Sequence, residues 1–272
     1  MVEIDERLNN FINNVPHKKL TNEKAAICEE DINLNEMGEA LKQLNNNSAG
    51  GNDGITASFY KFFWSLLKKP LLDCYRQAII REELSCSQRR GLINMFHKGN
   101  NKTRDDLGNW RPITLTNVDH KIFTKVLAIR LQKVIKTIIN ENQSGFIKGR
   151  QISTHIRLID DIIKYANTEN LGGVVVSLDY QKAFDTVDKT TVICALKMFG
   201  FGHNFIKLIV TILKNTESAV TNGGWISGYF ETNRGLRQGC CISPLLFVLV
   251  VEVLAIKLRE QKNIRSIFDA NE

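Results

Sequence analysis

The sequence predicts an α+β fold in which an antiparallel sheet is packed with helices. Three observations carry this. Apolar residues recur at helical spacing through most of the chain, a few short runs alternate or cluster as strands do, and Gly/Asn-rich turns separate them. The 43% apolar content of 272 residues supplies a sizeable core.

Taken in order, Asn33-x-x-Glu36 has the spacing of a capping box and opens a helix with apolar positions Leu34, Met37, Leu41 and Leu44. Asn45 to Gly54 reads as a turn-rich loop, because Asn-Gly and Asp-Gly pairs tolerate positive φ. Helices are expected from about Thr56 and over Lys69–Glu82. A strand at Gly91–His97 returns through the polar turn Asn100–Asn109 to a second strand near Arg111–Leu115. Asp119–Ile139 is a long amphipathic helix, with Ile122, Phe123, Val126, Leu127, Val134, Ile135 and Ile138 buried and Lys121, Lys125, Lys133 and Lys136 elsewhere. Another helix covers about Ser153–Asn167.

Gly173 to Asp179 (GVVVSLD) is the plainest strand in the sequence, a β-branched run expected to be buried on both faces and to end on a carboxylate. Helices follow near Lys189–Met198 and Gly202–Asn215, then a hairpin over Ser218–Thr232 turning at Asn222-Gly223-Gly224. A loop from Arg234 to Ile242 leads to Ser243 as N-cap with Pro244 at the first helical position. The apolar run Pro244–Leu258 contains Glu252 and is too short to span a bilayer, so it reads as a buried helix and implies no membrane partner.

The acidic start MVEIDERLNN has neither signal-peptide nor transit-peptide character. Six scattered cysteines, with no C-x-x-C pair and no clustered His, argue against a zinc site and a disulfide framework and fit a reducing intracellular setting, nuclear or cytoplasmic. The net charge of +7 is uneven: residues 1–45 carry a net −4, whereas residues 81–150 carry +8. Such a stretch favours a polyanionic partner through phosphate neutralisation, although a solvated basic helix face has the same composition.

Three segments suggest chemistry. Ser177 to Asp185 (SLDYQKAFD) sets a carboxylate at a strand end, where burial calls for a cation, commonly a metal; an aspartate capping the next helix is the plainer role. Asn233 to Pro244 (NRGLRQGCCISP) places glycines, a Gln and two arginines before a helix N-terminus, which fits nucleotide contact and equally a simple turn. Phe96-His97-Lys98-Gly99 and Asn109-Trp110-Arg111-Pro112-Ile113 put a Lys and an Arg on adjacent strands, from which both can reach one triphosphate; ordinary surface cations look the same.

Together with Gly51-Asn52-Asp53-Gly54-Ile55 and Gln143-Ser144-Gly145-Phe146-Ile147, these segments resemble, in order and spacing, the reverse transcriptases of non-LTR (LINE-type) retrotransposons, from about Leu20 onward. The resemblance implies a right-hand polymerase fold: a helical extension over 1–45, a fingers-like region over 46–168, a partial palm over 169–272 and no thumb. It implies RNA-directed DNA polymerisation, with an RNA template, a DNA primer, dNTP and Mg²⁺. Asp179 then matches the first catalytic aspartate and a metal ligand, with the Tyr180 carbonyl beside it. Lys98, Arg111, Phe184, Gln238 and Gly239 match nucleotide-binding positions. Phe184 is the ring that excludes a 2′-hydroxyl, where RNA-dependent RNA polymerases commonly carry Asp. Arg237, Arg150 and Lys148 are expected to face nucleic acid.

The sequence departs from the family at Gly50 and Asn52 in the first loop and at His97. The family also places an aromatic-Ala-Asp-Asp hairpin after the helix begun at Pro244. This sequence reaches Glu272 without that pair, and Phe268-Asp269-Ala270 holds a single aspartate. The resemblance therefore implies one of three metal carboxylates and no polymerisation by this chain alone. The alternative is a reverse-transcriptase-derived module or relic that binds RNA without catalysis.

Overall fold

A computed structural model describes residues 17–99, 102–261 and 263. The sequence start, Asn100 of the expected turn and the Phe268–Ala270 segment lie outside the described residues.

Local signals act first. Thr21 caps α1 (Asn22–Glu29). The capping box closes over α2 (Leu34–Lys42): Asn33 Oδ1 accepts from the Asn35 and Glu36 amides at 3.0 Å, and the Asn33 amide donates back to Glu36 Oε2 at 3.3 Å. Next come α3 (Ala57–Phe62), α4 (Trp64–Arg81) and the short α5 (Cys86–Arg89). Strands β1 (Arg90–His97) and β2 (Trp110–Thr116) form the expected hairpin.

The long helix α6 (Val118–Val134) tightens into a 3₁₀ turn at Ile135–Thr137. It runs through the middle of the core, with Ile122, Phe123, Val126, Leu127, Leu131 and Val134 buried. A charged residue goes down with them, as do His120 and Thr124. Arg130 is 1% exposed, and its Nε and Nη2 each donate to Glu36 at 2.7 Å, while its remaining bonds reach the Cys28, Glu30 and Asp31 carbonyls. Matching its donors in this way offsets the cost of burying a guanidinium, and here it fastens α1 and α2 onto α6.

The chain continues through α7 (Ile152–Thr168), α8 (Ala183–Thr186), α9 (Lys189–Met198) and α10 (His203–Leu213), then β3 (Glu217–Asn222), β4 (Trp225–Ile226), β5 (Phe230–Glu231) and α11 (Ser243–Arg259). The Gly223-Gly224 turn has both residues at positive φ, 56° and 88°, as a tight hairpin requires. Helix α11 is buried along Leu245, Leu246, Val248, Leu249 and Val253, and its buried Glu252 accepts from Arg259 at 2.5 Å and from the Asn140 amide at 3.2 Å. No described helix is long and apolar enough to cross a membrane. All six cysteines are free.

Three expectations are corrected. The sheet is mixed, in the order β2-β1-β3-β4 with β5 also on β3: β1 pairs antiparallel with β2 but parallel with β3, Arg90 opposite Glu217 and Asn94 opposite Thr221. Parallel neighbours need a long crossover, and the helices from α6 to α10 provide it. Second, residues 171–180 form no strand, and the run lies open, with Val174 87% and Val176 73% exposed. A strand's hydrogen bonds come from a neighbour, and none of the described strands pairs with this segment. Third, the cap of α11 is Ile242, with Ser243 already helical and buried; its hydroxyl makes no capping bond.

Candidate nucleotide and nucleic-acid interface

The Gly-Gln-Gly loop before α11 is the centre of the site. It is held on two sides. On one, the Thr114 amide donates to the Gln238 carbonyl at 2.8 Å, so the loop covers the outer edge of β2. Gly239 allows this approach: at φ 112° a Cβ would sit 2.5 Å from the Thr114 carbonyl oxygen. On the other side, the Gly235 amide donates to the Val187 carbonyl and the Leu236 amide to the Phe184 carbonyl, both at 2.7 Å. The loop therefore ties the β1–β2 hairpin to the turn that carries Phe184.

That turn begins at Lys182, which adopts a left-handed φ of 51°, and closes as Asp185 N–H donates to the Lys182 carbonyl at 2.8 Å. Burial raises the Asp185 carboxyl above the usual range, opposed by neighbouring Lys182 and by a hydrogen bond from Gln238. Gln238 thus reaches this turn with its side chain and β2 with its backbone. The half-buried Phe184 ring stacks on Phe247 of α11, with centroids 5.1 Å apart, and meets the edge of Phe146 at 6.2 Å. Tyr180 approaches Phe247 edge-on at 6.1 Å.

Phe146 arrives from the Gln143–Ile147 loop, itself at a left-handed φ of 61° and fixed by the Gln132 side-chain amide donating to its carbonyl at 2.8 Å. Arg150 braces this loop from within, one Nη donating to the Asn140 and Gln143 carbonyls at 2.6 Å each. Lys148 is exposed and borders an open basin of about 540 Å³ with Gln132, Ser144 and Gln151.

Lys98 and Arg111 lie at the far end of the β1–β2 hairpin, both exposed. Arg111 is opposite Phe96 in register, and the Lys98 amide donates to the Asn109 carbonyl, so alternation along the strands puts the two cations on one face. Lys98 Nζ donates to the Gly108 carbonyl at 2.8 Å, whereas the Arg111 side chain makes no hydrogen bond or ion pair among the described residues. Arg111 is three residues from Thr114, about 10 Å along the strand from the loop contact.

Arg237 is placed differently from its expected role. Its guanidinium turns inward, with one Nη donating to the Arg89 and Glu217 carbonyls, the second at 2.8 Å, while Nε and the other Nη are buried without a partner. Burial lowers it to about 10. It joins the loop to the starts of β1 and β3 and offers no fork to an outside phosphate. The sequence reading also missed His120 and Lys189, which share a cavity of about 20 Å³ with Arg237. Burial holds His120 down to about 3 and Lys189 to about 8. No sequence pattern announces either residue, because both are brought to the loop by packing alone.

Asp179 lies on the open 171–180 segment. Among the described residues no three His, Cys, Asp or Glu side chains converge as a metal site would require. Mg²⁺ takes several hard oxygen ligands, so the described residues do not fit it.

Loops gathered on a sheet edge and a helix start make a domain whose chemistry is carried by loops on a rigid frame. The comparisons supply its family. Residues 97–268 match the family described as reverse transcriptase (RNA-dependent DNA polymerase), and the chain belongs to that family. It is 33% identical over 86% of its length to an uncharacterized 149 kDa protein of transposon TX1 from Xenopus laevis, covering 18% of that protein. From Drosophila melanogaster, a probable RNA-directed DNA polymerase from transposon X-element is 27% identical over 79% of the chain, with 24% of that protein covered. The Pol polyprotein from retrotransposable element R2DM is 25% identical over 54%, with 14% covered. The chain thus spans about a quarter or less of the length of these relatives, which are of the non-LTR kind that the motifs resemble.

Proposed function

We propose that this chain is the part of an RNA-directed DNA polymerase that positions incoming dNTP and template, within a two-metal reaction of the primer 3′-hydroxyl. One observation carries the reading. The Gly-Gln-Gly loop is bonded at once to β2, the strand of Arg111, and to the Phe184 turn, which makes a single unit of three motifs.

Arg111 and Lys98 would hold the triphosphate, the first by its free fork and the second by leaving the Gly108 carbonyl. Phe184, backed by Phe247, would supply the sugar-facing wall. Lys148 is the cation left to a template phosphate, while Arg150 and Arg237 act by bracing the loops. Asp179 matches the family's first metal-binding aspartate, but no two further carboxylates converge on it among the described residues.

The test is dNTP and RNA–DNA hybrid binding by the chain, alongside primer extension on an RNA template. Replacing Lys98 and Arg111 by Ala should weaken dNTP binding more than hybrid binding. Equal losses would refute their assignment. No incorporation is expected, and incorporation abolished by Asp179→Ala would refute the metal argument. The absence of a convergent carboxylate group among the described residues favours, as second reading, a non-catalytic RNA-binding module. Salt-dependent RNA binding with no dNTP affinity would support that module instead.

A further inference from the structure

Away from these loops, α9 and α10 enclose a groove of about 560 Å³. Its floor is aliphatic: Ile193 from α9, with Ile206, Val210 and Leu213 from α10 at the i, i+4, i+7 spacing of one helix face. Its rim is cationic, with Lys189, Lys197, Lys207 and Lys214 joined by His203. Glu82 is the one carboxylate lining it, 3.6 Å from Lys207 Nζ. Lys189 is turned inward to the Thr216 hydroxyl at 2.8 Å and the Thr232 carbonyl at 2.5 Å. The side chains of Lys197 and Lys214 are exposed and make no hydrogen bond or ion pair among the described residues.

We propose that this groove docks an acidic amphipathic helix of a partner protein. A trough between two helices accepts a third by ridge-into-groove packing, and three floor residues at helical spacing match anchors at i, i+4 and i+7. Carboxylates flanking those anchors would meet Lys197 and Lys214, so charge sets the identity of the guest. A nucleic-acid strand is the poorer fit, because the lining offers no Phe, Tyr or Trp to stack successive bases, only the single His203 ring, and no arginine fork for phosphate. The proposal is independent of the polymerase reading, since Lys197, Lys214 and three of the four floor residues lie outside the interface above, and Lys189 and Leu213, which also line its small cavity, are not what the test alters.

Fluorescence anisotropy tests it on the full chain. The probe is a labelled helical peptide of about four turns with Leu at the anchor positions and Glu beside them; a control has Lys in place of Glu. The acidic peptide should bind and the basic one should not. Lys197→Glu with Lys214→Glu should weaken binding by about tenfold or more. Both side chains are exposed, so an unchanged circular-dichroism melt is expected and confirms that the variant is folded. Absence of binding, equal binding of both peptides, or unchanged affinity in the double variant would overturn the proposal. So would uridine-oligomer RNA or phosphatidylserine vesicles displacing the peptide and losing affinity in the same variant, which would give the groove to those ligands.

Discussion

His120 should make the stability of this chain depend on pH between about 7 and 5, where most carboxylates are silent. The side chain sits in the first turn of α6, fully enclosed, with neither ring nitrogen bonded. Burial, then the charges of Arg237 and Lys121, hold its pKa down to about 3. In the unfolded chain the ring titrates near the ordinary value of about 6.5. Because the folded value is the depressed one, the ring's neutral state stabilises the fold fully above pH 6.5, and this is lost as pH falls toward 3. Each pH unit in that window is worth about 1.4 kcal/mol, so the loss between pH 7 and 5 is about 2 kcal/mol. The perturbation is His120→Leu, which keeps an apolar side chain of similar bulk and removes two unpartnered nitrogens. Urea unfolding at pH 7 and pH 5 measures both proteins. The variant should gain about 2 kcal/mol relative to wild type on acidification, since titrations elsewhere cancel in the difference. Parallel pH dependence in the two proteins would refute a neutral, buried His120.

Arg130→Met should cost about 3–5 kcal/mol in denaturant unfolding, because Glu36 and the carbonyls of α1's C-terminal end lose their donor; a loss below 1 kcal/mol would show that the clamp is not holding α1 and α2. Gly239→Ala places a methyl against the Thr114 carbonyl at a left-handed φ. It should destabilise the loop by about 1–3 kcal/mol and speed hydrogen exchange at the Thr114 amide, with unchanged exchange counting against the contact. Val175→Asp should leave the melting temperature unchanged but reduce concentration-dependent light scattering, because it interrupts an exposed β-branched run. Scattering equal to wild type would clear that run of any part in association.

The sequence by itself determined whatever is closed within a few residues. The Asn33 capping box, the Gly223-Gly224 turn, the span of α9 and the buried character of α11 were all legible, because caps, tight turns and helical hydrogen bonds join near neighbours along the chain. The family was legible for a related reason: ordered short motifs survive as words even when their contacts are not visible. What only the tertiary structure decided is everything that needs a distant partner. Parallel pairing of β1 with β3 draws on residues separated by the whole helical region. Arg237 reads as a nucleic-acid contact in the sequence, whereas in the fold its guanidinium turns inward to the starts of β1 and β3. Gly173–Asp179 has the composition of a buried strand, yet composition supplies only preference. A strand's hydrogen bonds belong to its neighbour, and without a paired neighbour among the described residues the valines stay in the open.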